Sequence, residues 1–339
     1  MLQPPPPENL NDARILAITN GVMGSDAQVL GVAAALGVKI EIRHAKVSGV
    51  RGLFAPFLPA SPQDVGVKGR LLSPPWPDVL ISVGRKATPI VVSARVRSAG
   101  RCFTMALQHP RVPTSAYDLI WAPEHDRLSG ANVISTLTSP HRITPTALDQ
   151  ARQQFGHLAV VDGKPAGPLL AVLIGGPNGV FPFPASEAQD LCARLDRLIA
   201  DAEQAGPAPR ILISFSRRTT AEIRAVIETW AAARRAWVWD ETGPNPYVGL
   251  VALADAVIVT FDSVNMAGEA ASTGKPVLVF PLTGKGAKFA AFHAALAKTG
   301  ATRPLEGAFR PWSYPPVDHN PVIASRLAAA YDEWRQKWL

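Results

Sequence analysis

Apolar runs of about five residues recur along the chain, each ending in a glycine-rich or polar turn that leads into a stretch of helical composition. Residues 14–19 (RILAIT) run into Asn20-Gly21-Val22-Met23-Gly24-Ser25, and an Ala/Leu/Val-rich stretch follows over 26–36. That order predicts strand, glycine turn and helix. Residues 38–44 predict a second strand. After a proline-rich excursion over 56–77, residues 78–84 repeat the strand-to-glycine pattern ahead of a helix over 87–98, and 102–107, 119–122 and 133–137 predict further short strands. Strands alternating with helices at this spacing predict βαβ units, hence a mostly parallel sheet covered on both faces.

The rhythm breaks over 155–168 in a polar Gly/Pro stretch and restarts at Leu169-Leu170-Ala171-Val172-Leu173-Ile174-Gly175-Gly176. A boundary is expected there, separating an N-terminal domain, 1–160, from a C-terminal domain, 161–311. The second half cycles again, with helices expected over 186–204, 220–233, 247–253, 264–273 and 286–298 and strands over 210–215, 236–239, 256–260 and 277–280. The fold class is therefore α/β, two Rossmann-like doubly wound parallel sheets in series. Ligands of such sheets bind beyond the carboxyl ends of the strands, so chemistry is sought in the loops after them. The remainder, 312–339, is a loop and a helix carrying Leu327, Tyr331, Trp334 and Trp338 on one face, expected to dock back on the N-terminal domain.

Composition narrows the class. With 47% apolar residues in 339, the chain buries a real core, which excludes disorder as its main state. Of the net charge of +7, +6 lies in the first half, where residues 1–160 hold 16 Lys and Arg against 10 Asp and Glu. No run of consecutive Lys or Arg marks a nucleic-acid arm, so nucleic acid is not an expected partner. A basic surface still suits phosphate-bearing substrates or peripheral contact with an anionic membrane. No apolar run is long enough to span a bilayer, and the start, Met1-Leu2-Gln3-Pro4, lacks the pattern of a secretory signal. The expected location is the cytoplasm, with contact at the inner face of the membrane. Cys102 and Cys192 lack metal-ligand spacing and are expected to be buried small hydrophobes.

The loops of the second half are the most informative. Gly175-Gly176-Pro177-Asn178-Gly179 follows a strand, and its glycines allow close approach of the backbone to a ligand with exposed amide donors. Ser214-Phe215-Ser216-Arg217-Arg218-Thr219-Thr220 brings hydroxyls, two guanidiniums and a helix start to one point, a combination suited to a phosphate or diphosphate. The competing reading is an N-cap at Thr219 with two solvated arginines. A third run, 255–277, has a polar strand exit feeding a helix that carries Glu269 and stops at Gly274-Lys275-Pro276.

This last run resembles the signature of glycosyltransferase-B proteins. The resemblance implies that Asp262, Ser263, Asn265 and Met266 meet the diphosphate or sugar and Glu269 the ribose, while Asn245-Pro246-Tyr247 begins a short helix beside the base. Together with Gly24-Ser25-Asp26-Ala27-Gln28 and Ser216-Arg217-Arg218-Thr219, these motifs resemble, over about residues 14–310, the family joining plant mitochondrial-fission factors to bacterial glycosyltransferase-like proteins. The resemblance implies the fold; it implies transferase activity from the bacterial members, whereas the plant members act in recruiting a dynamin-like GTPase. It also implies an acceptor-side base in the turn after the first strand, where Asp26 is the candidate beside Gly24, Ser25 and Gln28. Asp26 is equally suited to capping a helix. Gly84-Arg85-Lys86, His109 and His125 follow other strands and are expected on the acceptor side, with either histidine an alternative base or a structural hydrogen-bonder.

The sequence contains no Asp-x-Asp, so no metal site is expected and the leaving diphosphate must be stabilised by Arg217, Arg218 and backbone amides. Gly-x-Gly-x-x-Gly after the first strand, a P-loop, His-Glu-x-x-His and Gly-x-Ser-x-Gly are all missing, which disfavours dehydrogenase, NTPase, metalloprotease and serine-hydrolase chemistry. No cofactor is expected beyond a nucleotide-diphosphate sugar as donor substrate, with a glycan or lipid-linked acceptor. Two alternatives remain: a sugar-nucleotide epimerase using Asp26 and His125 as an acid/base pair, and a non-catalytic adaptor on the same scaffold.

Overall fold

The computed structural model describes residues 7–46, 73–161, 164–165, 167–306 and 310–339, so most of the proline-rich excursion lies outside the described residues. The chain divides into two compact units, Met1–Arg142 with His319–Leu339, and Ile143–Asp318. In the first, β1 (Ile15–Thr19), helix α1 (Met23–Leu36), β2 (Ile40–His44), β3 (Val79–Val83), α2 (Thr88–Arg97), β4 (Phe103–Leu107), β5 (Leu119–Pro123) and β6 (Val133–Thr136) build one sheet. Its order is β2-β1-β3-β4-β5-β6 and every pairing is parallel. β1, β3, β4 and β5 are buried along their whole length, as their unbroken apolar runs require, whereas the edge strand β2 alternates partly exposed positions.

The second unit repeats the plan. After α3 (Pro145–Phe155) and a small antiparallel pair, β7 (Val160–Val161) with β8 (Lys164–Pro165), come β9 (Leu169–Ile174), α4 (Ala185–Ala205), β10 (Arg210–Phe215), α5 (Ala221–Arg234) and β11 (Trp237–Val238). α6 (Tyr247–Leu253), β12 (Ala256–Thr260), α7 (Val264–Ala271), β13 (Val277–Phe280), α8 (Ala287–Lys298) and β14 (Thr302–Pro304) complete it. The parallel sheet runs β11-β10-β9-β12-β13-β14. In both units the strand order reverses beside the first strand, between β1 and β3 and between β9 and β12. Loops leaving those strands part in opposite directions and open a crevice at their carboxyl ends.

The boundary expected at 160 falls instead at 142. α3 belongs with the second unit because it packs on α6: a Cβ at Gly249 would stand 2.5 Å from the Phe155 ring, and Arg152 Nε donates to the Ala252 carbonyl at 3.3 Å. The C-terminal helix α9 (Asn320–Arg335), followed by a 3-10 turn at Gln336–Trp338, packs in the first unit. Its Tyr331 and Trp334 rings each meet Phe103 of β4 edge-on at 5.8 Å, and Trp334 Nε1 donates to the Gly100 carbonyl at 3.0 Å. Cys102 and Cys192 are both buried, and burial pushes the Cys192 thiol up to about 11. Among the described residues no helix is long and apolar enough to cross a membrane.

Candidate functional site

At the β9/β12 switch one carboxylate joins the three informative loops. Asp262, just past β12, has a fully buried side chain. Its Oδ2 accepts the Gly176 amide at 3.0 Å and Arg218 Nη2 at 2.6 Å, while Oδ1 accepts the Thr260 hydroxyl at 2.6 Å. Thr260 Oγ1 in turn accepts the Gly175 amide at 2.8 Å, and Arg218 Nη1 donates to the Gly176 carbonyl at 2.7 Å. From the other side the Thr219 hydroxyl donates to the Gly175 carbonyl. Both Asp262 oxygens and the Gly175 and Gly176 amides are paired in this knot, as low local dielectric demands.

The knot changes the roles of several expected donor-binding residues. Gly175 and Gly176 are glycines because the protein itself approaches them: a Cβ at Gly175 would stand 2.2 Å from Asp262 Oδ2, and one at Gly176 2.3 Å from the Arg218 backbone. Their amides are taken by Thr260 and Asp262 rather than offered to a ligand. Asp262 braces the loops, and Arg218 neutralises it. Asn178 serves its own turn, its Oδ1 accepting the amides of Val180 and Phe181. Ser214 is buried in β10, and Ser216 Oγ accepts the Arg218 amide at 3.2 Å. Arg217, in contrast, is exposed on the same loop with no ion-pair partner among the described residues. The N-cap of α5 is Thr220, accepting from Ile223, rather than Thr219.

α7 starts beside this knot. Ser263 is its N-cap, with Oγ accepting the Met266 amide, so the helix start lies directly after the brace. Asn265 and Glu269 are four residues apart and share one face of α7, with Met266 flanking them. The Tyr247 hydroxyl, at the start of α6, donates to Glu269 Oε2, and the Tyr247 amide donates to Asn245 Oδ1 at 2.9 Å. Beneath the loop, His293 of α8 stacks on Phe261 at 4.1 Å and its Nε2 donates to the Phe261 carbonyl at 2.8 Å. Burial lowers its pKa, partly opposed by that hydrogen bond and by the charge of Asp262. Sequence reasoning missed Thr260 and His293; a threonine ending a buried apolar strand was the one signal for the first.

In the first unit the expected helix N-cap at Asp26 is corrected. α1 begins at Met23 with Val22 as an N-cap lacking a side-chain bond, and Asp26 lies inside the first turn. Its Oδ1 accepts the Thr19 hydroxyl at 2.6 Å and its Oδ2 accepts His44 Nε2 at 3.1 Å. His44 was not foreseen; it ends β2, directly opposite Thr19 in the parallel register. Gly24 and Ser25 share this first turn, and Gln28, a turn later, accepts Gln108 Nε2 at 3.0 Å. Gln108 has φ +77°, left-handed strain at the end of β4. Gly84, at φ +84°, lies against Asn20, whose Nδ2 would stand 2.9 Å from an added Cβ. Arg85 and Lys86 are exposed just beyond it. His109 closes a turn by accepting the Arg111 amide at 3.0 Å, and His125 lies in a 3-10 turn at Glu124–Asp126. No contact brings either histidine to Asp26 among the described residues.

The sequence family described as mitochondrial fission ELM1 matches residues 23–331. A protein of Arabidopsis thaliana named mitochondrial fission protein ELM1 is 28% identical over 278 residues, covering 74% of this chain and 63% of its own length. An uncharacterized protein of Rickettsia prowazekii (strain Madrid E) is 27% identical over 235 residues, covering 60% of this chain and 64% of its own. The chain thus spans a little under two thirds of the length of these relatives. Among solved structures, UDP-GlcNAc 2-epimerase from Methanocaldococcus jannaschii matches 93% of this chain and 99% of its own, with a TM-score of 0.52 at 11% identity. At that identity the likeness is one of fold, and the fold is of the glycosyltransferase-B type.

Proposed function

This chain belongs to the mitochondrial fission ELM1 family, and we propose that it is a metal-independent glycosyltransferase, moving a sugar from a nucleotide-diphosphate sugar to a hydroxyl of a cell-envelope glycan or lipid-linked acceptor. The observation that carries this reading is the braced β9/β12 switch, where Arg217 is exposed on the loop whose Arg218 meets Asp262, the residue before the N-cap of α7, and Glu269 is held by Tyr247. A helix start and a cation suit a pyrophosphate. An oriented carboxylate one to two turns into the helix suits ribose hydroxyls.

The chemistry follows from those roles. An acceptor oxygen bonds to the anomeric carbon as the bond from that carbon to the diphosphate oxygen breaks, and the nucleoside diphosphate leaves with the electron pair. Arg217 and the α7 amides stabilise the charge it gains. The acceptor's proton passes to the Asp26 carboxylate, and a single displacement inverts the anomeric centre. In this reading the protein works in the cytoplasm, and the basic first half favours contact with an anionic membrane.

The fission-related name of the Arabidopsis relative favours a second reading, an adaptor on the same scaffold. Thermal stabilisation by a panel of nucleoside diphosphates decides between them. A ligand at about a hundred times its Kd adds about 2.7 kcal/mol, and no shift with any of them sinks the transferase reading. Mass analysis of products with and without acceptor then separates transfer from epimerisation.

A further inference from the structure

We propose that Lys275 is a positioning residue for the ribose of the donor nucleotide, setting Glu269 through helix α6 and Tyr247; the inference deepens the donor reading above and rests on it. α6 is seven residues long, and so short a helix has no stability of its own, so what grips its two ends decides where it stands. At its first residue the Tyr247 hydroxyl donates to Glu269 Oε2. Its last turn presents carbonyls that have no partner inside the helix. The Val251 carbonyl accepts Lys275 Nζ at 2.9 Å, and the Ala252 carbonyl accepts Lys275 Nζ at 2.6 Å and Arg152 Nε at 3.3 Å. Positive charge there also suits the negative end of the helix dipole.

Lys275 and Glu269 belong to one stretch of chain, and every group in the arrangement lies in the second unit. Glu269 is carried by α7, which ends at Ala271, and Lys275 follows in the turn to β13. On the other helix Val251 lies four residues beyond Tyr247, about 6 Å along the axis. α7 and its exit turn therefore grip α6 at two points, Glu269 at the start and Lys275 at the end. The exit turn is itself fixed, because the Tyr314 hydroxyl donates to the Lys275 carbonyl at 2.5 Å and the Val317 amide to the Ala271 carbonyl at 3.1 Å. Without the ammonium the last turn of α6 keeps only Arg152 at Ala252, the helix is free to tilt on its contact with Phe155, and the Tyr247 hydroxyl is withdrawn from Glu269. The carboxylate then meets the ribose hydroxyls without a fixed orientation, and their contribution to binding is lost.

A thermodynamic cycle on the full chain tests this, read as the ratio of affinities for UDP and for its dideoxy analogue by calorimetric titration. Lys275→Met is expected to cut the native preference for UDP about three- to tenfold and to leave the dideoxy analogue within about twofold. Tyr247→Phe is expected to cut it by as much and the double variant no further, because both changes remove the same orientation of Glu269. Lys275→Arg, which carries donors for both carbonyls, is expected to restore most of the preference. Equal losses for the two ligands, or losses that add in the double variant, overturn the proposal, since a residue that only stabilises the fold gives those results. Should Lys275→Met fail to fold, Arg152→Met is expected to show a smaller loss of the same selectivity, and an unchanged ratio there overturns the proposal. Failure of the native protein to bind either ligand brings down the donor reading and the ribose role together. The grip on α6 is then read on its own by hydrogen exchange: the α6 amides are expected to exchange about tenfold faster or more in Lys275→Met, and unchanged exchange overturns the grip itself even where UDP binds.

Discussion

Arg218 and Asp262 form an ion pair of 2.6 Å in which the aspartate side chain is wholly buried and the arginine side chain is still 42% exposed. Adjacent arginines on one loop therefore have different work: Arg218 neutralises a brace and Arg217 remains available to an anion.

Replacing Arg218 by Ala leaves Asp262 buried without its counter-charge and is expected to destabilise the protein by about 3 kcal/mol, the low end for a broken buried pair because the arginine is partly solvated. Urea unfolding of the variant measures this. A loss below about 1 kcal/mol shows that the brace does not depend on the pair.

Arg217→Ala is expected to leave stability within about 0.5 kcal/mol of native, as for an exposed residue without partners. Its nucleoside-diphosphate affinity is expected to fall about tenfold or more, the loss of one charge-assisted contact worth about 1.5–3 kcal/mol. Calorimetric titration with UDP checks both the direction and the size.

Tyr247→Phe removes the hydroxyl that orients Glu269, and Glu269→Gln removes the charge. Both are expected to weaken binding of a ribonucleoside diphosphate several-fold while scarcely affecting a dideoxy analogue, which lacks the hydroxyls proposed to meet Glu269. Equal losses for the two ligands would assign Glu269 elsewhere.

Gly175→Ala places a methyl 2.2 Å from the buried Asp262 carboxylate and is expected to cost about 1–3 kcal/mol, whereas Gly179→Ala, with nothing within 4 Å, is expected to be neutral within about 0.5 kcal/mol. Paired thermal melts compare the two.

Lys275 bridges to the end of α6, its Nζ donating to the carbonyls of Val251 and Ala252 at 2.9 and 2.6 Å. Burial, with a smaller push from the Arg152 charge, lowers its pKa from 10.5 to about 8. Between those two values the unfolded chain holds more protons than the folded one, so this group makes the fold more stable as pH rises from about 8 to 10.5. At about 1.4 kcal/mol per unit the gain is on the order of 3 kcal/mol. Native protein is expected to gain that much relative to Lys275→Met across the interval, by urea unfolding at each pH; a flat difference rules the shift out.

Much of the fold was legible in the residues because unbroken apolar runs such as Leu169–Ile174 suit strands buried on both faces, and their alternation with helices leaves little choice but parallel sheets. The division of labour inside the site was not. Nothing in Ser216-Arg217-Arg218-Thr219 tells which guanidinium meets Asp262, 44 residues away from Arg218, and the glycines after β9 have the same composition whether a ligand or a carboxylate presses on them. His44 escaped notice for the same reason: its partner comes from α1, and only the register of β1 with β2 unites them. The boundary was misplaced because the Gly/Pro stretch marks a small hairpin within the second unit, while the chain passes between units earlier, at Arg142.

The docking of α9 on Phe103 bears on biosynthesis. On the ribosome the first unit's sheet is made before the second unit, yet its aromatic closure, Tyr331 and Trp334, is translated only after the entire second unit. The part begun first is thus finished second, and a nascent chain stalled near residue 318 would carry a complete second unit and an uncovered β4.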